Sequence, residues 1–284
     1  MPQDIFHPLS KIEREEKLAA LGEFVKHRDG IPDFSKRTLS HREKGLRRFD
    51  NAPVLYRGVV DRALFEAQYR HFDQRSSTPR ELLLLLTFVK FNNTEAFAVE
   101  RSFDAVTRGI VRPNNDIELV LLLEEHYHTK ILLTAAKLFG IDITPRIEAS
   151  PAVALLNTAT LRLPDALRYP LLLDAELLGV MMLTHMLRLL REVFEAAPSL
   201  RDALEERLID VLIDEIGHVS YNRLQLNAYG CALAKALLPL VAWGIGCPVA
   251  EARALGLFPI PLRDVFAFEM KQLPDAIRRS AFVA

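Results

Sequence analysis

Leu123-Glu124-Glu125-His126-Tyr127-His128 and Ile213-Asp214-Glu215-Ile216-Gly217-His218 repeat one pattern, Glu-x-x-His with a second acid directly before the glutamate. On a helix, residues three apart share a face one turn from each other, so each Glu and His pair can reach one metal ion. The faces that carry them are apolar: Leu121, Leu122, Leu132 and Ala135 flank the first pair, and Leu208, Val211, Leu212 and Val219 the second. An ionised carboxylate on such a face is costly unless compensated, and metal coordination compensates it. A chain of this composition yields on the order of one Glu-x-x-His by chance, so a lone match carries little weight. An ion pair at a helix edge is the alternative for either copy. Two copies on two long apolar helices favour a metal site.

Outward from these motifs the chain reads as helical. No sustained alternation of period two and no hairpin turn between such runs is present, whereas helical periodicity dominates. Four long helices are expected. The first starts behind Ser76-Ser77-Thr78-Pro79, a capping residue ahead of proline in the first turn, and stops at Gly109. The second is capped by the Pro113 to Asp116 segment and ends at Gly140; the third runs from Pro170 to Ala197; the fourth follows Pro198-Ser199 directly and ends near Asn227. Between the second and third lies a less regular stretch, 141–169, long enough for a crossover. The expected fold class is therefore all-α, a four-helix bundle over 77–228. An N-terminal helical extension, 1–76, packs on it, and a C-terminal helical extension of the same domain covers 229–284. The N-terminal part is charged and irregular, with short amphipathic pieces such as Ile12 to Val25 and Val59 to Phe72.

Composition narrows the function classes. The 284 residues are 50% hydrophobic, enough for a large core, and the formal net charge of −1 gives no pull toward nucleic acid or anionic membrane. The basic run His41-Arg42-Glu43-Lys44-Gly45-Leu46-Arg47-Arg48 is mixed with acid and reads as a solvated face. No apolar stretch reads as long enough to cross a bilayer. The run from Ala232 to Val249 is interrupted by Lys235, Pro239 and Pro248, and reads as a buried core helix. The N-terminus lacks a secretory pattern, and Cys231 and Cys247 suit a reducing compartment, so a soluble cytoplasmic protein is expected.

The other two helices supply further acids. Glu176 lies one turn from Leu172, Leu173, Gly179 and Val180, with Asp174 and His185 as rival ligands on the same helix. Glu176 falls ~32 Å before the turn joining the third and fourth helices and Glu215 ~24 Å after it, a difference to be absorbed by tilt, an irregular turn or a bulge. On the first helix Glu95 shares its face with Phe88, Phe91, Ala98 and Val99, whereas Glu100 has a mixed face with Asn93, Asp104 and Arg108. Glu95 is preferred and Glu100 stays open. The resulting metal set is Glu95, Glu125, His128, Glu176, Glu215 and His218, with Glu125 and Glu215 central to any catalysis. Four carboxylates and two neutral imidazoles balance two divalent cations, and oxygen with imidazole donors suits iron or manganese.

With these residues placed, the chain resembles the ferritin-like di-iron carboxylate superfamily, whose pattern is Glu, Glu-x-x-His, Glu, Glu-x-x-His on four helices. The resemblance covers roughly 79–227. The acids Glu124 and Asp214 sharpen it toward soluble di-iron oxygenases, acyl-carrier-protein desaturases and ribonucleotide reductase small subunits. In those relatives the leading acid holds a histidine ligand across the bundle, which implies Asp214 on His128 and Glu124 on His218. Three positions depart from the pattern. Many relatives have arginine before the motif histidine, where Tyr127 and Gly217 stand. Monooxygenases and desaturases often carry threonine one turn past the third-helix glutamate, where Gly179 and Val180 stand. The arylamine N-oxygenase group is similar in size, but its extra histidine is Val211 here.

The resemblance implies a non-haem di-iron oxygenase that uses O2 to N-oxygenate, hydroxylate or desaturate a small or apolar organic substrate. It would draw electrons from an external reductase or ferredoxin-like donor. A manganese or mixed manganese–iron pair is the metal alternative, and an iron-handling ferroxidase or a ligand-binding oxidase the functional one. We place a substrate pocket at Gly179, Val180 and Leu183, because Gly179 removes a side chain beside Glu176. No nucleic-acid or membrane partner is expected, and a homodimer is the candidate assembly. Met181, Met182 and Met186 read as core filler, and Tyr127 and Tyr221 as packed rings near the motifs.

Overall fold

Capped, leucine-rich segments set the helices of the computed structural model, which is described for residues 5–28, 40–56, 62–74, 78–110, 113, 115–143, 154, 158–246 and 249–284. In order they are α1 (Lys11–Lys26), α2 (Ser40–Asp50), α3 (Arg62–Arg70), α4 (Arg80–Thr107), α5 (Asp116–Lys137), α6 (Asp165–Val193) and α7 (Pro198–Leu224). α8 (Ala228–Gly246), α9 (Ala250–Ala254), α10 (Leu262–Phe266) and α11 (Asp275–Ser280) follow, and no strand occurs among the described residues.

Local chemistry explains most boundaries. Asn115 caps α5 by accepting a hydrogen bond from the Glu118 amide, and Asp116 and Glu118 favour the positive end of the helix dipole. α4 closes with Gly109 at φ +68° and an Ile110 amide bonded to the Ala105 carbonyl at 2.9 Å, a geometry that glycine adopts without a Cβ penalty. Ser10 and Glu13 form a reciprocal capping box on α1. Two boundaries differ from the sequence reading. Pro79 itself takes the cap position of α4 with no side-chain cap, and Ser76 and Ser77 lie outside the described residues. α6 starts five residues early, at Asp165 behind Pro164, and carries Pro170 inside its second turn.

Its other end matters more for the site. α6 stops at Val193, four residues before the expected end, and the chain turns through 194–197 into α7. An equal number of residues then separates Glu176 from Val193 and Pro198 from Glu215, and both glutamates sit ~25 Å from the turn. The expected mismatch in height disappears without a bulge.

The four long helices close a ring, with α4 packed on α5, α5 on α7, α7 on α6 and α6 back on α4. α1 and α2 form a wall over α5 and α7, α3 and α9 lie on α4, and α11 lies on α7. One contiguous apolar core runs through all of it, from Ile5 and Leu21 through Leu86, Ile131, Leu177 and Leu212 to Ile277. Most of the 141–163 crossover lies outside the described residues.

Two expectations about apolar stretches are corrected. α4, α6 and α8 are each long and apolar enough, by length and composition, to cross a membrane. In α4 and α6 most of the apolar window is buried inside the molecule, but in α8 only 22% is. The segment read as a buried core helix therefore buries one face, Cys231, Ala234 and Leu238 against α6, and exposes the other.

Candidate metal centre

Six side chains from the four ring helices converge. Glu95 on α4, Glu125 and His128 on α5 and Glu215 on α7 have ligand atoms within 4.8 Å of one another, as do Glu125, Glu176 of α6, Glu215 and His218. Glu125 and Glu215 belong to both groups, so two ions held there would share both carboxylates. The imidazoles lie nearly parallel, ring centroids 5.6 Å apart. Both turn Nδ1 inward: His218 Nδ1 is 2.6 Å from Glu125 Oε1, and His128 Nδ1 is 3.2 Å from Glu215 Oε1.

The outward nitrogens are held crosswise. His128 Nε2 meets Asp214 Oδ2 at 2.9 Å, and His218 Nε2 meets Glu124 Oε2 at 3.2 Å. Each acid precedes the glutamate of the other helix's motif, so the repeat in the sequence becomes a reciprocal brace. An acceptor at Nε2 keeps a proton there, so Nδ1, which faces the carboxylates, is the nitrogen that would give up its proton to bind a metal ion.

Behind the acids stand two arginines that the sequence reading did not select. Arg28, just past α1, and Arg42, on α2, both donate to Asp214 Oδ1. They also approach Glu124 Oε1, at 3.3 and 3.5 Å. Arg42 is 1% exposed, so the basic run is not simply a solvated face. Two buried cations thus offset the two buried acids. A signal existed: Arg42, Leu46 and Phe49 share one side of α2, and Phe49 is fully buried. Arg28 stands at a helix end, where periodicity says nothing about direction.

Electrostatics describe a cluster crowded with carboxylates. Burial and the neighbouring Glu125 and Glu215 charges outweigh a hydrogen bond with His128 and push Glu95 well above the usual carboxylate range. Burial likewise drives Glu176 well up, with Glu215 and Glu125 adding to it, and burial with Glu125 brings Glu215 to about 7. Burial opposes both imidazolium charges, but the carboxylates win: Glu125 and Glu95 raise His128 to about 9, and Glu125 with Glu124 raises His218 well above 6.5. Burial also disfavours the Glu125 charge, yet the two histidines hold that carboxyl well below the ordinary range. Without a cation the cluster therefore keeps protons in their place. Glu95 Oε2 and His128 Nδ1 are buried with no hydrogen-bond partner, and both residues belong to the cluster. Orphaned donor atoms in a cluster of oxygen and imidazole fit a pair of divalent ions such as iron or manganese.

The rival ligands fall elsewhere. Glu100 is exposed on α4, because five residues past Glu95 is more than a full turn and points to another face. His185 is half-buried beside Arg188 and Asp264, and belongs to neither donor group. Asp174 is fully buried with both oxygens unpartnered and burial pushes it to about 8, but it also lies outside the cluster. Of the pocket positions, Val180 and Leu183 are buried in the core, and Gly179 has open space where a Cβ would stand. Met181, Met182 and Met186 are buried core residues. Tyr127 reaches Glu43 at 3.5 Å, and Tyr221 packs edge-on against Tyr169. Comparison with protein-family models, with curated proteins and with solved structures gives no match to this chain.

Proposed function

We propose that this chain is a ferritin-like di-metal carboxylate oxidoreductase that uses O2 to oxidise a small or apolar organic substrate, with an external electron donor. The observation that carries this reading is the pair of overlapping donor groups sharing Glu125 and Glu215. Glu95 and His128 would complete one ion position, and Glu176 and His218 the other. Two iron ions, or manganese in one or both places, would supply the redox equivalents for reducing O2.

The protein's own groups do the rest. Asp214 and Glu124 keep the Nε2 protons of His128 and His218 in place, so both Nδ1 atoms stay aimed at the cluster. Arg28 and Arg42 hold those acids from the outside, a task the motifs themselves cannot perform with Tyr127 and Gly217 before their histidines. Leu121, Leu132, Val180, Leu208 and Leu212 wall the cluster with hydrocarbon and limit water. Gly179 leaves room next to Glu176 for a small apolar group. Glu215 belongs to both donor groups, and without a cation burial and Glu125 hold it near 7, so binding of ions there would displace its proton.

The test is anaerobic loading with ferrous iron, metal analysis, then exposure to O2 with optical recording. Two irons per chain and an oxygen-dependent absorption change are expected. Protein that binds iron but shows no optical response to O2 refutes the oxidoreductase reading. Mineral deposition of many irons per chain favours iron handling instead.

A further inference from the structure

The face of α8 turned away from α6 carries Tyr229, Ala232, Leu233, Ala236, Pro239, Leu240 and Trp243, a continuous apolar stripe with Lys235 at its margin. Tyr229 is 69%, Leu240 61% and Trp243 71% exposed, whereas Gly230, Cys231, Ala234 and Leu238 on the opposite face are buried. Lys235 leans aside onto the ring of Phe266, 5.5 Å away, and so leaves the stripe without a charge at its centre. An exposed apolar surface of this extent marks a binding face.

We propose that the stripe is the two-fold interface of a homodimer, with α8 packed antiparallel against α8 of a second copy. The residue order is self-complementary about Ala236. A two-fold axis there sets Tyr229 against Trp243 of the other copy, Ala232 against Leu240, and Leu233 against Pro239. Ala232 opposite Leu240 joins a small side chain to a large one, the aromatic rings of Tyr229 and Trp243 meet at each end, and alanine at the crossing point lets the helix axes approach to about 8–10 Å. The area suffices. Half the surface of a 19-residue helix, ~28 Å long and ~11 Å across, is roughly 500 Å² per copy, and the pair reaches the ~1,000 Å² a specific interface needs. An interface at that threshold is expected to be reversible.

A bilayer is the competing occupant. α8 spanning a membrane would carry α6, packed along its other face, and the Glu176 carboxyl of the metal centre toward the hydrocarbon, at high cost. A helix lying on an anionic surface would need basic residues along its flanks, and α8 has only Lys235.

Trp243 is the only tryptophan in the chain, so its emission reports this face alone. Sedimentation velocity on the full chain from roughly 1 to 100 µM, with acrylamide quenching of Trp243, tests the proposal directly. Expected are a monomer–dimer equilibrium and quenching that falls several-fold as dimer forms. Leu240→Glu should weaken association at least about 100-fold, with helix content and bound metal unchanged. Trp243→Glu supplies the same test should Leu240→Glu fail to fold, and Ile12→Glu, an isolated exposed site on α1, should change nothing. A monomer at all concentrations with fully quenchable Trp243 overturns the proposal, as does a dimer untouched by either glutamate. Flotation of monomer with phosphatidylcholine–phosphatidylglycerol vesicles, lost in Leu240→Glu, overturns it in favour of a lipid surface.

Discussion

The two halves of the candidate metal centre use the same residue types, yet they are not equally braced. On the Glu95–His128 side, the supporting acid is Asp214, which takes hydrogen bonds from both Arg28 and Arg42. On the Glu176–His218 side, the supporting acid is Glu124, which takes a hydrogen bond from Arg28 alone, at 3.3 Å, while Arg42 stands 3.5 Å away. His128 is wholly buried and His218 nearly so. A Cβ at Gly179, on the helix that carries Glu176, would meet nothing within 4 Å, and the same holds at Gly217 beside His218. Under the proposed oxidoreductase reading, the more firmly held first half would serve as the anchor and the second as the reacting position.

The severest way to break this comparison is to remove what the halves share. Glu125→Ala or Glu215→Ala should lose both ions by elemental analysis, whereas Glu95→Ala should lose one and Glu100→Ala none. Retention of both ions without Glu125 and Glu215 would dissolve the idea of a bridged pair.

Next in size is the brace itself. Asp214→Asn should weaken the first ion position about 10–100-fold, and Glu124→Gln should weaken the second by less. A cobalt(II) titration followed optically would resolve the two steps. Equal losses would mean that the halves are equivalent after all. Arg42→Met should reproduce a milder form of Asp214→Asn, with Arg42→Lys recovering part of it.

pH sharpens the picture. His128 rises from 6.5 to about 9 in the fold, so its contribution to metal-free stability is full below 6.5 and is lost as pH climbs through about 9. Glu215, raised from 4.5 to about 7, stays protonated in the fold where the unfolded chain ionises, which also lowers metal-free stability across that interval. The metal-free protein should therefore lose melting temperature from pH 5 to 9, while the loaded protein holds it. Loading should release protons, measurable in weak buffer. A gap between the two melting curves that does not widen with pH would contradict the assigned shifts.

The smallest effect concerns Gly179. Alanine there meets nothing within 4 Å, and its better helix propensity should add about 0.5–1 kcal/mol of stability with both ions retained. A bulkier Gly179→Leu should slow turnover of an organic substrate without lowering metal content.

Much of the bundle side was legible because side-chain chemistry and helical period reinforced each other. Glu-x-x-His on leucine-rich faces named four donors, and Glu95 and Glu176 followed from acids on apolar sides. Gly109 and Gly140 located two helix ends through their positive φ. The N-terminal side was not legible. Arg42 sits among other charges that are solvated, so composition hid the one arginine that points inward. Its role depends on a partner far away in sequence, and no local pattern encodes that. The same holds for α8: hydrophobicity reported an apolar helix, but burial depends on what packs against it, and α6 covers one face only. The helix α6 also shows how four residues at a boundary decide whether two glutamates meet.

The contact between Arg28 and Asp214 joins residues 186 apart in the chain. Closing so long a loop costs entropy that only the finished core repays, and such contacts form late in folding. During synthesis the cluster therefore has no brace until α7 has been made and has packed on α5. An ion arriving earlier would meet His128 without its brace and without Glu215 and His218. Assembly of the centre is in this sense a closing step, in which the first part of the chain to be made is the last to lock it.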